Sequence, residues 1–235
     1  CWREGGGWGG GGGGTFFHLP EEKQQRLLDA AQIEFSRHSL QEASIANIVK
    51  LAGIPRGSFY QYFENKEDLY FYYFATLRKN SERDLEKQII AEDGDLIEAM
   101  DVYFSKMIVE VLTGENASFY RNLFVNMDYR ASRRVTDNLA TGEEEKNRKQ
   151  HCHKHRGRKG HAAYAEHLYQ IIDRSKLTIE TPKEFTWFMQ TAMHAVFSTI
   201  VDGYRQQREN PAYDSTEAVK QLKMKLNWLK NGAYK

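Results

Sequence analysis

The stretch SIANIVKLAGIPRGSFYQYFENKEDL, residues 44–69, contains two short helix patterns separated by a tight turn. The first pattern ends at Gly53, which can adopt the left-handed geometry that closes a helix. Pro55 biases the preceding residue away from helical geometry and suits the first turn of the next helix. Two short helices joined by such a turn predict a helix-turn-helix. The apolar positions that define the two patterns are Ile45, Ile48, Val49 and Ala52, then Phe59, Tyr60, Tyr62 and Phe63.

Further helices are predicted on either side of this motif. Upstream, Pro20–His38 has apolar residues at helical spacing and acidic residues in its first turn, where the helix dipole favours negative charge. Downstream, Asn65 and Asp68 resemble a capping box and predict one long helix over residues 66–91. The first half of this helix must be covered on more than one side, because its aromatic residues cannot all face one way. These residues are Tyr70, Phe71, Tyr72, Tyr73 and Phe74.

The run I-V-x-x-A-G-I-P-R-G-S-F-Y-Q-Y-F-x-N-K-E-D-L in this region is similar to the DNA-binding signature of tetracycline-repressor (TetR) family transcriptional regulators. The chain differs from that pattern conservatively at Val49, Pro55 and Phe59, where the family more often has Ala, Ser and Leu. The resemblance implies an all-α fold with an N-terminal three-helix DNA-binding head and a larger helical domain for ligand binding and dimerisation. It also implies a regulator, usually a repressor, that binds a pseudo-palindromic operator as a homodimer and responds to a small-molecule effector.

Within this resemblance, residues 55–62 would form the recognition helix, with its N-terminal half toward the bases of the major groove. Arg56 can contact a phosphate or pair with guanine, and Gln61 has the amide geometry to read adenine. Gly57 would let the backbone approach DNA closely, and Phe59 and Phe63 are predicted to be core. Hydroxyl groups, free backbone N–H groups and one lysine complete the expected contacts to phosphate. The predicted DNA-binding residues are Ser44 (as the cap of the second helix), Pro55, Arg56, Gly57, Ser58, Tyr60, Gln61, Tyr62 and Lys66.

Composition divides the chain into three parts. Residues 1–19 contain the glycine-rich stretch CWREGGGWGGGGGG, which we expect to be a disordered tail of artificial origin. A lipid-bearing Cys1 on a flexible tether is the alternative. We expect ordered structure to start near Pro20, with residues 20–66 as the helix-turn-helix domain. Residues 67–235 are then the effector-binding and dimerisation domain.

The larger domain ends in two amphipathic helices. Thr181, Pro182 and Glu184 provide a cap, a proline at the first helical position and a capping-box acid for a helix that extends to about Arg208. A last helix is predicted over residues 215–229. The broad apolar faces of these helices predict a four-helix dimer interface, and the alternative is that they close the core of the monomer. The faces consist of Phe185, Phe188, Ala192, Thr199 and Gly203, then Val219, Leu222, Leu226 and Leu229.

Helices are also predicted over residues 94–113, 115–127 and 162–174. Large, adaptable or polar side chains on these helices and on the one that follows would surround an effector pocket, as the resemblance implies. Ordinary core packing is an equally good interpretation of each of them. The pool of candidate effector-binding residues is Tyr103, Met107, Phe119, Phe124, Met127, His167, Gln190, Met193 and His194.

The segment TGEEEKNRKQHCHKHRGRKGH, residues 141–161, is almost free of apolar residues and is predicted to be an exposed loop. It contains four possible metal ligands, His151, Cys152, His153 and His155. No second ligand pair at a familiar separation completes a structural site, so our main prediction is that no metal binds. One alternative function is a metal- or haem-responsive regulator that uses this loop. Another is a helical ligand-binding protein without specific DNA binding.

The composition of the chain limits the classes of function. With 33 Lys and Arg against 32 Asp and Glu, the chain has no globally basic surface, so affinity for DNA must come from a small patch and from dimerisation. Two cysteines, Cys1 and Cys152, give no disulfide framework and predict a cytoplasmic protein. No apolar run approaches the roughly 20 residues that a membrane helix needs. No arrangement of nucleophile, carboxylates or phosphate-binding glycines indicates an enzyme, and we expect no cofactor.

Overall fold

The computed structural model describes residues 16–78, 81–126 and 157–233. The regular elements in these ranges are helices, which confirms the predicted all-α fold. In chain order they are α1 (Glu21–Arg37), α2 (Ile45–Ala52), α3 (Arg56–Tyr62), α4 (Lys66–Leu77), α5 (Ser81–Ala91), α6 (Leu96–Thr113), α7 (Ala117–Val125), α8 (Gly157–Ile171), α9 (Pro182–Glu209) and α10 (Ser215–Asn231), with a short 3-10 turn at Arg174–Lys176 between α8 and α9.

The first three helices form the expected head. Gly53 ends α2 with a φ of 65°, the left-handed geometry that the sequence predicts for this glycine. Pro55 then precedes α3 in an extended conformation, so the turn between the two helices is short. Phe35 of α1, Ile48 of α2 and Phe59 of α3 are fully buried in the hydrophobic core.

Ordered packing begins at Phe16, earlier than the predicted start near Pro20. The Phe16 side chain is 1% exposed. Its ring centroid lies 5.1 Å from that of Phe63 and 5.3 Å from that of Tyr72. The prediction was wrong here because Phe16 and Phe17 follow the glycine-rich stretch after Thr15, and Phe16 packs against Phe63 at the end of α3 and Tyr72 of α4. The predicted disorder of residues 1–14 lies outside the described residues.

The aromatic half of α4 is covered on more than one side, as predicted. Tyr70 packs on Phe35 of α1 and Phe119 of α7, with centroid distances of 4.8 and 5.0 Å. Tyr72 instead faces Phe16 and Phe63. One helix therefore forms part of the core of the head and part of the core of the larger domain.

The predicted continuous helix over residues 66–91 is wrong. Helix α4 ends at Leu77 and α5 begins at Ser81, with Arg78 at the break. The sequence gives no warning of the break, because residues 78–81 contain neither glycine nor proline. The separate helix buries Leu85 and Ile89.

Two asparagines at α7 connect the head to the larger domain. Asn116 Oδ1 accepts hydrogen bonds from Gln32 Nε2 of α1 (2.9 Å) and from the Tyr73 hydroxyl of α4 (2.8 Å). Asn122 Nδ2 donates to backbone carbonyl groups in the last turn of α1, which have no partner within that helix. These carbonyls belong to Phe35 and Ser36, at 3.0 and 3.1 Å. Both α4 and α7 thus determine the position of the head.

The capping box predicted at the start of α9 is present. The Glu184 backbone N–H donates to Thr181 Oγ1 at 3.2 Å, and the Thr181 N–H donates to Glu184 Oε2 at 3.2 Å. Helix α8 begins at Gly157, so the predicted exposed loop over residues 141–161 extends too far at its C-terminal end. The glycines at positions 157 and 160 do not prevent this helix, because both lie within its backbone.

The apolar faces predicted for the dimer interface close the core of the monomer instead. Phe185 and Ala192 of α9, and Leu222 and Leu226 of α10, are buried within the chain. Gly203 lies against α6, where a Cβ atom would stand 2.8 Å from the Leu112 Cδ1 atom. The small residues of α9 therefore allow close approach by α6 of the same chain. Different apolar residues remain exposed on these two helices, namely Trp187, Met224 and Trp228.

Candidate nucleic-acid interface

Helix α3 presents one face to solvent and buries the other. Phe59 is fully buried, and Phe63, just after the helix, is 4% exposed, which confirms that both are core residues. The residues predicted to meet the bases lie on the opposite side, because helical periodicity separates them from Phe59. The exposed residues are Pro55, Arg56, Gly57, Tyr60 and Gln61. The fold thus holds a small polar surface on a rigid apolar support.

Arg56 and Tyr60 lie one helical turn apart and contact each other. Arg56 Nη2 donates to the Tyr60 hydroxyl at 3.4 Å. The Tyr60 side chain is 47% exposed, and its ring packs edge-on against Phe59. This bond uses one guanidinium N–H group, so four of the five stay available for DNA.

Gly57 has no packing role in the head. A Cβ atom built at this position meets no described atom within 4 Å, and the glycine lies inside α3. Glycine in a helix interior costs about 1 kcal/mol relative to alanine. Gly57 is the second residue of α3, so the chain carries a residue that disfavours a helix in the first turn of its exposed helix, with no packing contact in the described structure to offset it.

Ser58 and Tyr62 are half-buried, unlike their exposed neighbours. Tyr62 packs against Phe16 with a ring-centroid distance of 6.2 Å. Its ring thus belongs to the aromatic cluster beside α4, and the two tyrosines of α3 differ in role. Tyr60 is presented to solvent, whereas Tyr62 serves mainly to hold the helix.

Lys66 does not present a free ammonium group. Its Nζ donates to the backbone carbonyl groups of Gln41 at 2.6 Å and Ala43 at 3.0 Å. These bonds attach the first turn of α4 to the loop before α2. Lys66 was predicted to place a cation beside DNA, but its ammonium group instead holds two parts of the head together. Only one of its three ammonium hydrogens has no partner in these bonds.

Ser44 stands at the predicted cap position of α2, but the described structure contains no cap bond from its side chain. The Ser44 backbone N–H instead donates to Oε1 of the buried Glu34 at 2.7 Å, and Asn47 Nδ2 approaches the same oxygen at 3.4 Å. Glu34 is only 3% exposed and was not among the predicted residues. The sequence signal for a buried Glu34 was its position on α1 beside the apolar residues Ala31 and Phe35.

Two of the candidate effector-binding residues line one groove. Tyr103 and Met107 of α6 form its wall, opposite Lys87 and Gln88 of α5. The groove encloses about 450 Å³ and is open to solvent. Burial raises the pKa of Tyr103, and the nearby Arg78 charge acts in the opposite direction. Arg78 is not among the residues predicted to bind an effector.

The other candidates in that pool do not converge on this groove. His167 of α8 contacts Glu86 of α5, with Nε2 at 3.1 Å from Oε1. Gln190 and His194 are exposed on α9. Residue type alone defines this pool, and residue type does not show which face of its helix each residue occupies. The core residues of the pool, which are buried, are Phe119, Phe124 and Met193. Met127 lies outside the described residues.

The candidate metal ligands His151, Cys152, His153 and His155 also lie outside the described residues. Within residues 16–78, 81–126 and 157–233, no group of three or more His, Cys, Asp or Glu side chains is arranged to hold a metal ion. None of the helices in these ranges is long and apolar enough to cross a membrane.

Comparison with known families gives two matches that together span most of the described chain. Residues 27–73 match the family described as bacterial regulatory proteins, tetR family. Residues 95–233 match the family described as tetracyclin repressor-like, C-terminal domain, and this match alone extends over more than half of the chain. A curated relative is the uncharacterized HTH-type transcriptional regulator YdgC of Bacillus subtilis (strain 168), which is 38% identical over 73 residues. That alignment covers 31% of this chain and 37% of YdgC.

Solved structures share the fold over nearly the full chain. FadR of Thermus thermophilus, a TetR family repressor solved with lauroyl-CoA, has a TM-score of 0.59 and 18% identity, and the match covers 90% of this chain and 95% of that one. FadR of Bacillus subtilis, solved with stearoyl-CoA, has a TM-score of 0.55 and 17% identity, with 89% and 99% covered. A transcriptional regulator from Pseudomonas aeruginosa PAO1 has a TM-score of 0.58 and 16% identity, with 93% and 95% covered.

Proposed function

We propose, from the premise that the chain belongs to the tetR family of bacterial regulatory proteins, that this transcriptional regulator binds a pseudo-palindromic operator as a dimer and represses transcription from it. Such proteins are regulators and not enzymes. The exposed face of α3, where Arg56, Tyr60 and Gln61 lie above the buried Phe59, is the observation that carries the proposal. Because its operator would lie on the bacterial chromosome, we place the protein in the cytoplasm.

The residues of the head divide into those that read DNA and those that position the reading helix. Arg56 and Gln61 are the base-reading residues, since their planar side chains pair with guanine and adenine edges. Tyr60 and Ser44 contribute hydroxyl groups for phosphates, which fix the register of the helix in the groove. Lys66 and Glu34 are positioning residues, because both are bonded within the head.

A single head of this kind would bind DNA weakly, because the chain carries a net charge of only +1. We therefore place a two-fold dimer contact at the exposed apolar residues of α9 and α10, Trp187, Met224 and Trp228. The two helices are held together by Lys225, whose Nζ donates to Ser198 Oγ at 2.8 Å and Thr199 Oγ1 at 3.0 Å. Two heads related by such an axis would meet half-sites about 34 to 36 Å apart, or a multiple of that spacing.

The effector is a small molecule that occupies the larger domain and changes the placement of the head. The structural neighbours named FadR were solved with acyl-CoA molecules, which supports a ligand-responsive role for this fold. In this chain the groove beside Tyr103 and Met107 is the site we assign. An effector that favours one placement of the heads over another shifts the equilibrium between DNA-bound and free protein.

The experiment that tests the proposal is selection of binding sites from random duplex DNA by the purified full chain. We expect enrichment of a palindromic sequence with half-sites one helical turn or a whole number of turns apart. A reporter gene placed behind the selected site should then be repressed when the protein is produced. Failure to enrich any palindrome would contradict the proposal, and activation of the reporter would contradict the assignment as a repressor.

Gly57→Ala offers a test of the recognition helix that does not depend on removing any side chain. A Cβ atom at this position meets nothing in the described protein, so the variant should fold normally and gain up to about 1 kcal/mol of stability. It should lose affinity for the selected operator, because the added methyl group lies where the backbone is proposed to approach DNA. Thermal unfolding and DNA-mobility-shift titration measure the two effects. Unchanged affinity would show that the DNA backbone does not approach α3 at this position.

A further inference from the structure

Arg78, at the break between α4 and α5, is a buried cation with incomplete bonding. Its side chain is 9% exposed, and Nε has no hydrogen-bond partner. Nη1 donates to the Met107 Sδ atom at 3.2 Å, and a thioether is a weak acceptor. Among the residues whose side chains the structure describes, no carboxylate forms an ion pair with Arg78. Buried charges are normally paired and hydrogen-bonded, so this guanidinium has unused capacity for an anion.

The surroundings of Arg78 favour an anion that also carries an apolar body. Tyr103 on α6 and Tyr120 on α7 both lie close enough for the Arg78 charge to oppose the rise that burial causes in their pKa values. Both phenols therefore remain protonated near neutral pH and can donate hydrogen bonds to an oxygen anion. The thioether of Met107 and the tyrosine rings supply apolar contact.

Arg78 does not itself line the groove beside Tyr103 and Met107, but both of those residues are its neighbours. Tyr103 and Met107 line the groove and also adjoin Arg78. The charges at the rim of the groove are balanced, since Lys87 and Lys106 face Asp84 and Glu110. Lys87 is in addition close to Asp84, at 3.5 Å. Arg78 is thus the uncompensated charge, and a ligand that enters past Tyr103 and Met107 would meet it.

We infer that Arg78 binds the carboxylate of the effector, a small amphipathic organic acid whose apolar body occupies the groove between α5 and α6. Guanidinium and carboxylate groups form paired, charge-assisted hydrogen bonds, which no neutral head group can replace. The inference rests on the proposed ligand-responsive function and specifies the chemical class of its ligand. Among the described contacts, the acid would displace the bond from Nη1 to Met107 Sδ and would compete with the hydrogen bond between Arg78 and Tyr103.

The position of Arg78 connects such a ligand to the head. Arg78 directly follows α4, whose first residue, Lys66, is bonded to the loop before α2. Tyr120 lies on α7, the helix whose residues Asn116 and Asn122 hold α1. A carboxylate that draws Arg78 and Tyr120 together therefore acts on both helices that position the head.

Direct binding of defined probes to the full chain, without DNA, tests the inference. The probes are octanoate, dodecanoate and 4-phenylbutanoate, each compared with the alcohol of the same carbon skeleton. Calorimetric titration should show that at least one acid binds about 10- to 100-fold more tightly than its alcohol, the range expected for hydrogen bonds to a charged group. Arg78→Gln should remove this preference, and Arg83→Gln, at an exposed arginine of α5, should leave it unchanged.

Two further variants separate ligand binding from folding. Arg78→Lys keeps the charge without the paired geometry and should retain part of the preference for the acid. Arg78→Met removes the unpaired buried charge and should melt at a higher temperature than the wild type while losing the preference. The inference is overturned if no acid of the series binds better than its alcohol, or if Arg78→Gln and Arg78→Met keep the preference. Binding of the selected operator by the unliganded protein is measured in parallel, so that failure of the regulator function is recognised separately.

Discussion

Arg56→Ala combined with Gln61→Ala is expected to abolish specific operator binding while leaving the fold and the dimer intact. Each bidentate base contact contributes about 1 to 3 kcal/mol of discrimination, and a dimer makes each contact twice. The double variant should therefore lose at least about 4 kcal/mol, or about 10³-fold in affinity for the operator. Both side chains are exposed, and alanine favours a helix at both positions, so the melting temperature should change little.

The measurement is a mobility-shift titration of the selected operator and of a scrambled duplex at one fixed salt concentration. A matched control, Arg83→Ala with Gln206→Ala, makes the same change in charge and composition at two exposed residues outside the head. It should bind the operator like the wild type. If the Arg56 and Gln61 variant shifts the operator as well as this control does, then α3 is not the recognition helix.

The head could be predicted from sequence because its signals are local. Gly53 and Asn65 each determine the backbone within a few residues of themselves, and each has the predicted conformation. Pro55 was predicted in the first turn of the recognition helix, but it is extended and immediately precedes that helix. The capping box at Thr181 is present as predicted, and it depends on only four consecutive residues. In these places the sequence pattern and the structure depend on the same short-range interactions.

Other features depend on which face of a helix packs against another element. Local sequence signals do not predict these features. The break at Arg78 has no local breaker, and after it α5 packs against α6. The apolar face of α9 was visible in the sequence, but its partner was not, and it proved to be α6 and α10 of the same chain. Lys66 was expected beside DNA because of its position in the motif, whereas its bonds to Gln41 and Ala43 are contacts between distant parts of the head.

The candidate effector residues show the same limit. Met193 and His194 are neighbours in sequence, but one is buried and the other is exposed. A pool chosen by residue type therefore mixes core, surface and groove residues. Arg78 would have been the informative choice, but a charged residue in a predicted helix is ordinarily solvated, and only its burial in the structure makes it notable.

Trp187→Glu combined with Trp228→Glu is expected to convert the protein from dimer to monomer. The two tryptophans are 55% and 49% exposed, so the chain itself gains little from their burial and should stay folded. In a dimer the same positions would place four carboxylates in an apolar contact, where their desolvation is costly. Sedimentation velocity measures the oligomeric state, and circular dichroism confirms that the helices persist. Ile90→Glu, at an apolar residue of α5 that is 63% exposed, serves as the control and should remain dimeric.

The loss of the dimer should weaken operator binding by about 10² to 10⁴-fold, although neither tryptophan touches DNA in the proposed complex. In the dimer, binding of the first head holds the second head close to its half-site, which raises the effective concentration of the second head. A monomer has no second head and loses this gain in affinity. The variant should still bind an isolated half-site as weakly as a wild-type head does. The alternative, in which Trp187 and Trp228 meet a different partner, predicts a wild-type dimer that survives both substitutions. Since the net charge of +1 leaves little non-specific attraction to DNA, pairing of two heads is what gives the exposed face of α3 a useful affinity.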